Sequence, residues 1–158
     1  MSKSFAELTK NSPHRPIVEK ALSYLGNLPK ITIDCGCGAG NESSFLLSNN
    51  FKVYAFDPSI EAENICLNKF KDNQNFLFSN ETFQDYNFPN ASLIISLFSL
   101  FFCPNHFLEN VLEKMKTSLT PQGILLIQLL GKHDAWVIDY PETFLGFEKE
   151  ELKNLFHK

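Results

Sequence analysis

The stretch ITIDCGCGAGN, Ile31 to Asn41, puts an acid, two thiols and three glycines within reach of one another. Three chemistries suit those residue types: metal ligation, thiol chemistry, or a backbone turn that lets a ligand approach closely. The spacing argues against the first. Cys35 and Cys37 are separated by one residue, and neither Cys66 nor Cys103 supplies a second close pair, so the ligand set of a structural zinc site is missing. The glycines favour the third. Gly36, Gly38 and Gly40 lack Cβ atoms, so the chain can turn sharply and bring its amides near a ligand. Asp34 limits which ligand that is, because a carboxylate repels a pyrophosphate and suits an ammonium group. Asp57 follows 23 residues after Asp34 and could take both hydroxyls of a ribose. Taken singly, the glycines make an ordinary turn and Asp57-Pro58-Ser59 an ordinary helix N-cap. Together they point to a nucleoside carrying an amino group.

Such a site needs elements to hold it. Ile31 to Cys35 and Lys52 to Phe56 are short apolar runs that read as strands, each ending at one of the two acidic turns. Helices are expected over Ile17 to Leu25 with a C-cap at Gly26, over Asn41 to Asn49 with Asn41 as N-cap, and over Ser59 to Phe70. A third strand is expected over Asn75 to Phe78, and a fourth, buried on both faces, over Ser92 to Ser96. A helix opened by Pro104 runs to about Leu119. TPQG then reads as a turn before a fifth strand from Gly123 to Leu130. Gly131 to Phe147 reads as loop, and Glu148 to His157 as an amphipathic helix. Strands alternating with helices imply right-handed crossovers, hence one α/β domain over residues 1–158, with a doubly wound, mainly parallel five-stranded sheet in three αβα layers. Ligands of such sheets bind beyond the carboxyl ends of the strands where strand order reverses, which is where Asp34 and Asp57 fall.

Composition narrows the function classes. The 158 residues carry a formal net charge of -4, and their Lys and Arg are scattered, so no nucleic-acid partner is expected. The longest apolar run, Leu93 to Cys103, is broken by Ser96 and Ser99 and is too short to span a bilayer. Met1 to Pro16 is polar and has no apolar leader core, and the four cysteines form no disulfide framework; a cytoplasmic protein with free thiols is expected. Most of the 16 phenylalanines are assigned to the core, with a few left to line a pocket.

At this point the chain resembles the class I S-adenosylmethionine-dependent methyltransferases, a superfamily with a Rossmann-like core. DCGCGAG resembles their glycine-rich first motif, VYAFDPS their second, and LTPQGILLIQL their strand-five motif. FSLFFCPNHF and QLLGKHDAWV are similar to the tellurite-resistance-like branch of small methyltransferases. The resemblance implies S-adenosylmethionine as cofactor and a small-molecule methyl acceptor. It implies that Asp34, Gly36, Gly38 and Gly40 cradle the methionine moiety, that Asp57 binds the ribose, and that Pro58 or Ser59 flanks the adenine. Thr82 stands where the family often has an acid near the adenine amino group, so Thr82 and Phe83 would act through backbone and stacking. Ser96 and Leu97 would lie beside the methionine tail. Arg15 would meet its carboxylate, or else be a solvated surface arginine. His133, Asp134 and Trp136 follow strand five and are the candidates for the acceptor pocket and for catalysis, unless they belong to an exposed loop.

The resemblance also implies a seven-stranded sheet whose last two strands form a hairpin beside strand five. The chain ends at Lys158, which leaves no room for it. The expectation is a C-terminally short domain whose strand-five edge pairs with a second copy of the chain as a homodimer, or a truncated chain. Two other functions stay open at the sequence level: a cofactor-binding module without turnover, and a nicotinamide-dependent enzyme, which the GxGxG spacing and Asp34 disfavour.

Overall fold

The protein, seen as a computed structural model that describes residues 2–157, is built on one parallel sheet. Its strands are β1 (Ile31–Cys35), β2 (Lys52–Phe56), β3 (Phe76–Ser79), β4 (Ala91–Ser96) and β5 (Leu119–Ile127), in the order β3-β2-β1-β4-β5. Every pair is parallel, with Ile31 opposite Lys52, Thr32 opposite Leu93, and Val53 opposite Phe76. The chain builds outward from β1 to β3, then crosses back to place β4 on the other side of β1. Connections therefore leave β1 and β4 towards opposite faces, and a crevice opens beyond their carboxyl ends. Every residue of β4 is buried, which is why ASLIIS carries no polar alternation beyond its serines.

The helices are α1 (Phe5–Thr9), α2 (Pro16–Tyr24), α3 (Asn41–Ser48), α4 (Ile60–Lys69), α5 (Asn105–Ser118), α6 (Ala135–Asp139) and α7 (Lys149–Phe156). They bury the two faces of the sheet separately. Val53, Ala55, Leu93 and Ile95 pack with Val18 and Ala21 of α2, Leu46 of α3 and Cys66 of α4. Ile33, Phe56 and Ile94 pack with Val111, Leu112 and Met115 of α5, against which Leu155 of α7 also rests. The period-two alternation of the strands thus sorts the core into two layers, and it sends Asp34 to the α3 side.

Local chemistry explains where the elements differ from expectation. Helix α3 is preceded by Gly40 at φ 72°, so glycine and not Asn41 holds the N-cap position; Asn41 begins the helix and donates its amide to the carbonyl of Thr9. TPQG does not end a separate turn but stays inside β5 as a bulge. Five residues from Leu119 to Ile124 advance against two from Ala91 to Leu93, and Gln122 at φ 65° absorbs the excess. The loop expected over Gly131 to Phe147 holds α6 and a two-residue ladder between β6 (Leu130–Gly131) and β7 (Gly146–Phe147). Helix α1 was not anticipated: five residues are too few for a periodic signal, although Ser4 caps it through the amide of Glu7. Gly26 stands at φ 56° just past α2, as expected of a helix terminator.

The glycine turn shows two distinct requirements. A Cβ on Gly36 would lie 2.4 Å from Cβ of Ser99, while one on Gly38 would meet nothing within 4 Å; both residues have positive φ. Gly38→Ala is therefore expected to cost about 1–2 kcal/mol, the left-handed backbone penalty alone. Gly36→Ala adds overpacking against the β4 turn and should cost about 2–4 kcal/mol. Urea denaturation of both variants checks the ordering, and equal costs would contradict it.

Candidate functional site

Two turns at neighbouring strand ends are joined by one carboxylate. The amides of Gly36 and Cys37 donate to the carbonyl of Phe56 at 2.9 and 3.1 Å, which folds the turn after β1 against the end of β2. Asp57 then completes the join: its Oδ2 accepts from the Gly38 amide at 2.9 Å and its Oδ1 from the Ser59 amide at 2.9 Å. Ser59 in turn caps α4 through the amide of Ala62. The ordinary N-cap and the ligand-facing acid are therefore both present, on Ser59 and Asp57 respectively.

Beyond these turns lies a cavity of about 710 Å³. Asp34, Gly36, Gly38, Asp57, Pro58 and Ser59 line it from β1 and β2; Thr82 and Phe83 from the turn after β3; Leu97 from the turn after β4. Arg15 and Trp136 complete the expected residues that reach it, and α1 covers it with Ser4, Phe5, Ala6 and Thr9. Four expected residues do not line it. Gly40 packs under α4, where a Cβ would sit 2.8 Å from the Phe70 ring. Ser96 is buried and shares a 2.7 Å hydrogen bond with Ser99, whose hydroxyl donates to the carbonyl of Cys35. Asp134 caps α6 by accepting from the Trp136 amide at 2.9 Å. The His133 side chain is 94% exposed, with its Nε2 4.0 Å from Glu148.

Glu42 is the residue that the sequence reading missed. It is buried on the first turn of α3, lines the cavity, and accepts from both the backbone amide (3.2 Å) and the guanidinium (2.8 Å) of Arg15. An acid directly after a glycine-rich turn, one residue inside a helix, was the available signal. Arg15 is thereby fixed rather than solvated, and its guanidinium also stacks 4.5 Å over the ring of Phe98, a residue held at φ 53°. Cys66, far from the other cysteines in sequence, lies with its thiol against Cys37 and donates to the carbonyl of Gly38 at 3.3 Å. The two thiols fill space under the turn, and no cluster of three or more metal-ligating side chains occurs among the described residues.

The electrostatics follow from burying acids together. Asp34 is pushed up to about 7 by its burial first, then by the negative charges of Glu42 and Asp57, against the lowering effect of the hydrogen bond it accepts from Ser43 at 2.6 Å. Three carboxylates thus face one guanidinium, a lining suited to a cationic or zwitterionic ligand. A doubly wound sheet with an acidic, glycine-floored cavity at its switch point places the cavity where open α/β sheets bind their ligands.

Residues 32–123 match the family described as a methyltransferase domain, and the chain belongs to that family. Solved structures share the fold. TehB from Haemophilus influenzae superposes with a TM-score of 0.77 at 21% identity, over 97% of this chain and 53% of that one. The 1,6-didemethyltoxoflavin-N1-methyltransferase of Burkholderia thailandensis, a structure with bound 1,6-didemethyltoxoflavin and S-adenosylhomocysteine, gives 0.74 at 18% identity over 96% and 68%. The [4+2]-cyclase SpnF gives 0.70 at 16% identity over 89% and 54%. The chain spans about half the length of TehB and of SpnF. No curated protein matches it. No helix among the described residues is long and apolar enough to cross a membrane.

The raised Asp34 has a consequence for stability with a definite sign. Between the ordinary value of 3.8 and about 7, the native state holds a proton that the unfolded chain has released, so stability falls as pH rises through that window. Asp34→Asn should therefore raise the melting temperature by several degrees at pH 8 and change it little at pH 4. Thermal denaturation at the two pH values checks this; equal shifts at both would contradict it.

Proposed function

We propose that the chain binds S-adenosylmethionine in the cavity and transfers its methyl group to a small-molecule acceptor. The observation that carries this reading is the Asp57 carboxylate, tied to the turn after β1 and the turn after β2 while it lines the cavity between them. It is suited to accept from two ribose hydroxyls. The lining supports the rest: a ligand with an ammonium, a sulfonium and one carboxylate is cationic overall, and it meets Asp34, Glu42 and Asp57 against Arg15 alone. Asp34 would take the ammonium, and the Arg15 guanidinium, shared between Glu42 and the ligand, would take the carboxylate. Gly36 and Gly38 form the floor, with Gly40 and Ser96 holding that floor to α4 and β1. Pro58, Ser59, Thr82 and Phe83 would enclose the adenine, and Leu97 would lie beside the methionine tail.

When bound, this cofactor supplies a methyl group on an already activated leaving group. The chain's own work is orientation and exclusion of water. Helix α1 covers the adenosyl end, and Trp136 walls the acceptor end; His133 and Asp134 would act on neither directly, Asp134 serving to fix α6. A binding module without turnover remains the second reading. It is favoured by Thr82, whose hydroxyl donates at 2.6 Å to Asp85 and so is committed within its own turn. The scattered charge supports a small molecule over a nucleic acid, and the four free cysteines support a reducing cytoplasm. Because β5 is an outer strand of the described sheet, we also propose that it pairs with a second copy of the chain, to be read by sedimentation.

Calorimetry with S-adenosylmethionine, S-adenosylhomocysteine and NAD tests the central claim. Heat is expected with the first two and none with NAD; the reverse pattern would end it. Asp57→Ala should weaken S-adenosylhomocysteine binding by roughly 1–3 kcal/mol. Asp57→Asn, which keeps an acceptor for one backbone amide, separates loss of ligand contact from loosening of the turns.

A further inference from the structure

The cavity divides by chemistry along the sheet. Asp34, Glu42 and Asp57 all belong to its β1–β2 half, whereas the half under β4 and β5 is walled by Phe98, Phe101, Phe102 and Trp136. The rings form a box: Trp136 stands edge-on to Phe101 at 5.7 Å between centroids and tilted to Phe102 at 5.9 Å, with Phe144 behind it at 5.4 Å. Phe102 and Trp136 are 58% and 45% exposed, so their apolar area is available to a ligand. Among the described residues no histidine, lysine or tyrosine lines the cavity. The ionisable group on this side is the Cys103 thiol, which burial pushes up to about 11, so it stays protonated and does not act as a base.

An acceptor in this half must therefore arrive with a free lone pair, and it must be flat and apolar enough to fit between rings. We propose that the β4–β5 half of the cavity takes a neutral, planar nitrogen heteroaromatic as methyl acceptor, a proposal that rests on the methyltransferase reading. The ring-nitrogen lone pair forms the N–CH₃ bond as the S–CH₃ bond breaks. The bonding pair leaves with sulfur, giving a neutral thioether, and the positive charge passes to the ring nitrogen. No proton moves, which matches a wall without a base. The planar cation that forms is stabilised by the ring faces around it and by the excess of carboxylates at the other end.

Trp136 is the chain's single tryptophan, so its fluorescence reports on this half alone. The experiment first establishes S-adenosylhomocysteine binding by calorimetry, then titrates the loaded chain with isoquinoline, naphthalene and N-methylpiperidine. Isoquinoline and naphthalene should quench Trp136, and N-methylpiperidine, a cation at neutral pH and not planar, should not. With S-adenosylmethionine, mass spectrometry should find N-methylisoquinolinium. Its rate should rise with pH while the ring nitrogen loses its proton and then stay level, without a limb from an enzyme base. Trp136→Ala and Phe102→Ala should each raise KM for isoquinoline about tenfold while the heat of S-adenosylhomocysteine binding is retained. Failure of S-adenosylhomocysteine to bind overturns the methyltransferase reading and this proposal together. Binding without quenching or methylation of isoquinoline, preferential methylation of N-methylpiperidine, or an unchanged KM in both variants overturns this proposal alone.

Discussion

The site depends on a single carboxylate that accepts from two turns. Without Asp57, the amides of Gly38 and Ser59 would lose their partner, and the glycine turn would be tied to β2 only through the carbonyl of Phe56. An ionised acceptor makes these hydrogen bonds stronger than neutral ones. The result is that the ends of β1 and β2 are tied together, and the acid on the cavity wall is oriented by the chain's own amides. Preorganisation of this kind is what a binding site gains from being built on strand ends rather than on a free loop.

A second tie runs in the other direction across the sheet. Ser99, from the turn after β4, donates to the carbonyl of Cys35 at the end of β1, and Gly36 has no Cβ so that this turn can come that close. Arg15 links α2 to Glu42 of α3 and stacks on Phe98 of the same β4 turn. The crevice that the strand order must open is thus held at a set width by a hydroxyl and a guanidinium. Phe98 accepts a backbone conformation unfavourable for an aromatic residue in order to sit under Arg15.

What could be read from the sequence was what local periodicity and turn chemistry control. The five strands and their parallel sense follow from short apolar runs alternating with helical stretches, and the two acidic turns from β1 running into glycine and β2 into Asp-Pro; the strands lie within a few residues of the expected runs. Elements governed by tertiary contact were not. Helix α1 is held by its packing on α4 and by the amide of Asn41, and the β5 bulge is defined against β4, facts that no window of the sequence contains. Glu42 illustrates the same limit at the site. Its position in the sequence is that of any first-turn acid, and only the fold brings Arg15, 27 residues earlier, into contact with it. His133 illustrates the converse: its place after strand five suggests a pocket shared with Trp136, but His133 is exposed while Trp136 lines the cavity.

The fold alone does not assign the chemistry, since a [4+2]-cyclase shares it with TehB and with a 1,6-didemethyltoxoflavin-N1-methyltransferase. The division of charge inside the cavity does more. An apolar wall beside three carboxylates is unfavourable for an empty chain, because Asp34 must either keep a proton to about pH 7 or bury a charge near two others. A cationic ligand would relieve that conflict by compensating the acids' charge. On the proposed reading, the feature that destabilises the unliganded chain would be the one that favours a cationic ligand, with Trp136 at the other end of the same cavity.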